Sequence, residues 1–398
     1  IGSNSIPSLQ PTIVFPASDS DNSVLGFAWM KNGFTLENAA TSCLFASIYP
    51  VSGFINLNGG ALNLTTDLSC DSGVVISGNN STVNMNGRAC NLGQLDLNWT
   101  DATNWQGDIG KVNLFSNLVL SNTWTFSGHC VLDGNGHVFD ITNGHIVIES
   151  GSSLTITNLT LRNLSATNIQ CVDNLSVVML ENVDWSQLNN FVFTNGALQL
   201  QNAVNFIGNA VFAYQSTQPC TLFAHSTVTL DSGFTFSYDP GTSADLLIFE
   251  DSTSQLVLNN NATLHTTLQG LNLTNGSILI QANGSLSSEV NGAIDNGITF
   301  GDCISADDFI CTLAGNAQLA ISGSLNYKNI NALSFNMQSN LASLLINDNT
   351  SLNVYQNLNG AGLTIFGNNT TLGQSPDMQL LMGTSQQGTL NYVDLPAC

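Results

Sequence analysis

Three histidines, His129, His137 and His145, recur every eight residues beside Asp133 and Asp140. Imidazoles and carboxylates in alternation could ligate a metal ion or exchange protons as general acids and bases. Further along, Asp302, Asp307 and Asp308 form the densest acidic group. Two carboxyl groups held some ångströms apart are what glycoside hydrolysis requires. Trp99, Trp105, Trp124 and Trp185 are the indoles that could stack on sugar rings. The cysteines, Cys43, Cys70, Cys90, Cys130, Cys171, Cys220, Cys303, Cys311 and Cys398, include no Cys-x-x-Cys and no Cys/His cluster. Zinc spacing is therefore missing, and neither a metal site nor a cofactor is expected. No Gly-x-Ser-x-Gly elbow, phosphate loop or dinucleotide fingerprint occurs. The expectation is a chain without a catalytic constellation.

Whether any of these groups can meet depends on the elements that carry them, and those follow a repeat. Two apolar residues one apart, a polar turn, then a further apolar residue or pair recur from Leu62 to Leu372. Leu154 and Ile156 lead to Leu159 and Leu161; Leu198 and Leu200 lead to Val204 and Phe206. Successive first residues (154, 178, 198, 228, 256, 278, 319, 344, 363) are separated by 24, 20, 30, 28, 22, 41, 25 and 19. The step of 41 reads as two turns of roughly twenty. An imperfect period in the twenties marks a solenoid whose units must stack to bury their apolar face.

The segments are four or five residues long, alternate apolar with polar, and are bounded by Asn86-Gly87, Asn143-Gly144 and Asn283-Gly284. Asn and Gly tolerate the positive φ that tight corners need. No stretch combines helical periodicity with a capping signal. Propeller blades of about 40–45 residues are twice the observed unit. The predicted fold is all-β: a single-stranded right-handed parallel β-helix with N- and C-terminal caps. Its body spans 56–372. Residues 1–55, punctuated by Pro7, Pro11, Pro16 and Pro50 and rich in Phe15, Phe27, Trp29 and Phe34, form a capping or docking segment, and 373–398 a C-terminal cap. Intervals 206–228 and 286–319 are expected to loop out. Leu198, Leu230, Leu258 and Ile280 are expected to share one core column.

Composition narrows the function. Charged residues supply 8 % of the chain, against about 25 % in an ordinary domain. With five basic side chains and a net charge of -22, the phosphate-neutralising surface of a nucleic-acid binder is excluded. No apolar run is long enough for a membrane span. An Ile at position 1 suggests a processed product whose secretion signal has been removed. Cys70 and Cys90, 20 apart, are a candidate disulfide between adjacent rungs, and Cys303 with Cys311 a candidate small loop. Cys398, left over from an odd total, is a candidate intersubunit bond.

The run Gly144-His145-Ile146-Val147-Ile148-Glu149-Ser150-Gly151-Ser152-Ser153-Leu154-Thr155-Ile156-Thr157-Asn158-Leu159-Thr160-Leu161 resembles the rungs of right-handed parallel β-helix proteins of the pectin-lyase-like kind. It is especially similar to secreted bacterial surface proteins of that fold, and the likeness covers about 60–372. The polygalacturonase segments are not reproduced: Gly128-His129-Cys130 precedes Asp307-Asp308 and lacks the second Gly. The resemblance therefore implies architecture and an extracellular setting, without catalytic residues.

The expected function is that of a secreted structural protein at the cell surface. It would assemble head-to-tail with its own copies into a filament or coat, or display loops for adhesion. Phe15, Phe27, Trp29 and Cys398 are the candidate intersubunit residues. The alternative is a β-helix that binds or degrades carbohydrate, with surface glycans as partners.

Overall fold

In a computed structural model, backbone and side chains are described over 81–91, 103–288, 297–302 and 309–319 with a few positions excepted, and outside these spans mainly strand segments. Among the described residues every regular element is a β-strand, and every strand pairing is parallel. Parallel strands that wind into stacked turns make a β-solenoid, the architecture that the repeat predicts. The chain forms two compact units, Ile1–Val178 and Met179–Cys398.

In the first unit each turn crosses three ladders. One runs through Ala61–Leu64, Ser81–Asn84, the start of Thr103–Leu114, the start of Thr123–Asp133, His145–Ile148 and Ile169–Cys171. The second takes Ala89–Leu92, the ends of the same two long strands, and Ser153–Ala166. The third joins Leu118–Val119 to Val138–Asp140 and to the later half of Ser153–Ala166. Ser42–Phe45, inside the segment read as a cap, pairs in register with Ala61–Leu64. Alternation turns every second side chain inward, so Val83, Trp105, Phe126 and Ile148 stack as one buried column.

The second unit repeats the scheme. Leu198–Leu200 aligns with Cys220–Leu222 and Leu247–Phe249 on one face. Phe206, Leu230, Leu258, Ile280 and Leu313 form a column on the next. Phe212, Phe236, Leu264, Leu286 and Leu319 form a column on the third. Register alone brings aromatic rings face to face: Phe212 and Phe236 lie 5.2 Å apart, Tyr214 and Tyr238 6.4 Å.

Three expectations need correction. Leu198 is buried but lies on a different face from Leu230, Leu258 and Ile280. The phrase beginning at Leu198 and the one beginning at Val228 start on neighbouring faces, because period-two patterns look alike on every side. The step of 41 is one long turn plus a change of face: Ile278 pairs with Cys311, thirty-three residues on, and Leu319 belongs to the ladder of Leu286. The interval 206–228 holds two rung strands, Val211–Tyr214 and Cys220–Leu222, where a protruding loop was expected.

Register also bears on the candidate cysteine pairs. Cys90 aligns with Leu68 on the preceding turn, so the local step is 22 and not 20, and Cys70 is not its register partner. Cys311 is a free, buried thiol in the ladder between Ile278 and Phe335. Inward parity commits it to the core. Cys70 and Cys303 lie outside the described residues.

Asn168 enters the core with partners for its whole amide. Asn168, 2 % exposed, donates from Nδ2 to the carbonyls of Ile141 and Gly144, both at 2.7 Å, and accepts from the Ser165 amide and hydroxyl. Corners close on asparagines at positive φ, such as Asn135 at 47° and Asn158 at 52°. Asp173 and Asp251 cap corners by accepting from the amides two residues on, Leu175 and Thr253. Those bonds, with the Ser150 and Thr253 hydroxyls first among them, hold both carboxyls below their usual range.

Truncating Leu230 or Leu258 to Ala should each destabilise the second unit by about 2–5 kcal/mol in urea titration. Asn168→Ala, which strands two buried carbonyls, should remove about 1–3 kcal/mol or more from the first, whereas the exposed Asn260→Ala should leave stability nearly unchanged. Burial pushes the Cys171 thiol up to about 12 and those of Cys220 and Cys311 higher still. Their thiolates are thus suppressed in the folded chain while the unfolded thiols ionise from about pH 9. Stability from these groups is present below that pH and declines above it. Peptide-resolved alkylation at pH 8 should leave all three unmodified in the native protein and modify them after unfolding.

Candidate functional site

The first unit has one corner that departs from the scheme. Thr103–Leu114 and Thr123–Asp133 run through it without a break, and the register between them shifts between Asp108 and Gly110. Asp108 aligns with His129 and Gly110 with Cys130, which leaves Ile109 as the extra residue of a β-bulge. Ile109 has φ 59° and is 70 % exposed. A β-branched side chain in that region is strained by roughly 1–3 kcal/mol. Gly107, at φ 148°, precedes it.

The residue after the bulge shows why the chain crosses there. A Cβ on Gly110 would lie 2.6 Å from the Cβ of Met85 and 2.7 Å from its Cε. Met85 is fully buried, so the corner backbone sits directly on it and only glycine fits. The extra residue is carried outward instead, with its apolar side chain in water.

One turn on lies Gly128-His129-Cys130, and the next turn brings Ser152 and Ser153 beside it. The two serines divide the work by parity. Ser152 is buried, and its hydroxyl accepts the Gly128 amide at 3.0 Å. Ser153 faces outward with its Oγ 2.8 Å from Nδ1 of His129. Backbone register thus ranks a carboxylate residue, an imidazole and a hydroxyl on three successive turns, at a strand spacing of about 4.8 Å. A hydroxyl bonded to an imidazole is a nucleophile with a general base at hand.

The second unit contains a like pair. His265 Nδ1 lies 2.8 Å from Ser287 Oγ, and the residue aligned on the preceding turn is Ser237, which donates to Asp239 at 2.5 Å. That ladder has a hydroxyl where the first has Asp108.

The other candidates separate. His129, His137 and His145 fall on three successive sides of one turn, because eight residues is a third of the 24 that part His129 from its partner Ser153. His145 turns Nδ1 to the Thr167 carbonyl at 2.9 Å. Asp133 caps its corner by accepting from the Asn135 amide, and Asp140 by accepting from Thr142 and Asn163. Among the described residues no three His, Cys, Asp or Glu side chains gather as a metal-binding group. Asp302 is exposed; Asp307 and Asp308 lie outside the described residues.

Trp105, Trp124 and Trp185 are buried, which removes them as sugar platforms. Trp105 and Trp124 meet edge to face at 5.4 Å, and Trp185 meets Phe191 at 5.0 Å. They occupy inward positions of their strands, as the alternation requires. Trp99 lies outside the described residues. So do Trp29 and Cys398, while Val14–Phe15 and Phe27–Ala28 are short strands in parallel pairs.

Ser153 was missed as the side-chain partner of His129, and Asp108 as its register neighbour. The signal was in the period: 108, 129 and 153 are one turn apart at the local steps of 21 and 24. Comparison of the chain with family models, with curated proteins and with solved structures finds no match.

Proposed function

We propose that this is a secreted structural protein of the cell surface that assembles with copies of itself into an extracellular filament or coat. The observation that carries the reading is an uncharged outward rank in the second unit. Thr235, Thr263 and Ser285 follow one another on successive turns, with His265 and Ser287 beside the last two. Thr263 and Ser285 hydroxyls already bond along the rank at 3.1 Å. A second copy carrying the same rank meets it by one translation, with a hydrogen-bonding group at every turn and no like charges opposed. The net charge of -22 is diffuse over 398 residues and is screened beyond about 8 Å at physiological salt.

Head-to-tail addition is a heterologous contact that does not close, and such contacts build filaments. With Trp105, Trp124 and Trp185 in the core, three of the four indoles that favoured the carbohydrate alternative are withdrawn from it.

Electron microscopy of purified protein should show fibres or sheets, and deletion of residues 1–30 should abolish them while circular dichroism still reports a folded β-protein. A monodisperse intact protein, or unchanged fibres from the truncated one, would sink the assembly reading.

A further inference from the structure

We propose that the Asn86–Gly87 corner of the first unit is a self-modification site, where Asn86 loses ammonia and becomes aspartate or isoaspartate. Both reacting groups belong to the chain. The Gly87 backbone nitrogen is the nucleophile, and the side-chain carbonyl carbon of Asn86 is its target. Glycine puts no Cβ beside the attacking nitrogen. Both residues are exposed, so water and hydroxide reach them.

Turn geometry separates this corner from three others with the same dipeptide. The Arg88 amide donates to the Met85 carbonyl at 2.9 Å, which closes a β-turn with Asn86 and Gly87 at its centre. Their φ values of 52° and 72° make it a turn of the primed kind. In a β-turn the N–H of the fourth residue closes the ring, and that of the third does not. Gly87 is third. In Asn143-Gly144 and Asn283-Gly284 the glycine is fourth, and its amide donates to Ile141 at 3.1 Å and to Gln281 at 2.9 Å. Gly136 is third in its turn, but its amide donates to the Asn158 carbonyl at 2.6 Å. An amide engaged in this way must break its bond before it can attack.

Two further observations point to the same corner. Asn86 is the more lightly held side chain: its Nδ2 donates to the Leu64 carbonyl at 3.1 Å, against 2.9 Å from Asn135 to Leu114 and 2.7 Å from Asn283 to Asn260. Arg88, one of five basic residues in the chain, follows directly, and a cation favours the amide anion that attacks. His137, His145 and Ser285 stand at that place in the other corners.

The reaction balances with water alone. Hydroxide takes the Gly87 N–H proton, the nitrogen bonds to Cγ of Asn86, and the Cγ–Nδ2 bond breaks as ammonia leaves with a proton from water. Water then opens the succinimide ring. Breaking the bond from nitrogen to Cγ gives aspartate. Breaking the bond from nitrogen to the main-chain carbonyl carbon gives isoaspartate, with an extra carbon in the backbone. Either product removes the donor to Leu64 and adds a carboxylate to a corner where Asp67 already accepts the Ala89 amide. The conversion is a one-way clock that loosens this turn from the one before it.

Incubate the intact protein at mildly alkaline pH and follow each Asn-Gly peptide by mass, with isoaspartyl methyltransferase to count isoaspartate. Asn86 should convert about tenfold faster than Asn135, Asn143 or Asn283, the factor set by one broken hydrogen bond. In urea the four rates should draw together, because the turns are gone and only Arg88 still distinguishes Asn86. Arg88→Gln should slow the native conversion severalfold. Asn86→Asp should lower the melting temperature, since the Leu64 carbonyl loses its donor. Native conversion at Asn86 no faster than at Asn135, or a ranking that urea leaves unchanged, would overturn the proposal.

Discussion

Backbone hydrogen bonding between successive turns is the interaction on which the rest of this structure depends. Parallel strands paired in register put each side chain directly beside the residue one turn away, at about 4.8 Å. A residue is then judged by its neighbours along the stack more than by its neighbours in sequence. Phe206, Leu230, Leu258 and Ile280 are separated by more than twenty residues each, yet they touch as one column. Stability in such a body is close to a sum of turns and of interfaces between turns.

The same constraint explains the near absence of charge. An outward Lys or Glu repeated on adjacent turns would set like charges directly opposite each other, which destabilises a ladder. Amides and hydroxyls do the reverse, because each can donate to one neighbour and accept from the other. Asn113 donates to Asn91 at 2.7 Å, and Asn283 to Asn260 at 2.7 Å. At the buried corners the serine hydroxyls find carbonyls: Ser176 and Ser254 reach those of Glu149 and Phe223, each at 3.0 Å. The ranks that result are polar, sparsely charged and periodic, which is the property on which the assembly reading rests.

Against that regularity the Ile109 bulge stands apart. Elsewhere the positive-φ corners are mainly Asn and Gly, residues for which the conformation is cheap. Here a β-branched residue takes it, because Met85 beneath requires Gly at 110 and the insertion falls one residue earlier. A bulge re-aims the side chains on either side of it. In this corner the backbone register sets Asp108, His129 and Ser153 on three successive turns.

By itself the sequence determined the fold class, since alternation in four-residue phrases and a period in the twenties admit a parallel solenoid and little else. It determined the sparsely charged surface and which parity of each strand is apolar; the inward places of Trp105, Trp124 and Trp185 were legible from that parity, although the indoles were weighed as sugar platforms. What only the tertiary structure decided is which turn meets which. Leu198 and Leu230 look equivalent as text, but one aligns with Cys220 and the other with Phe206. Corners vary in length, so the step is 21 at His129, 22 at Cys90 and 33 at Cys311, and a pairing guessed from a mean step misses. The rank of Asp108, His129 and Ser153 was hidden for the same reason: contacts made across turns depend on the summed length of every corner between them, and a bulge such as Ile109 changes that sum by one residue.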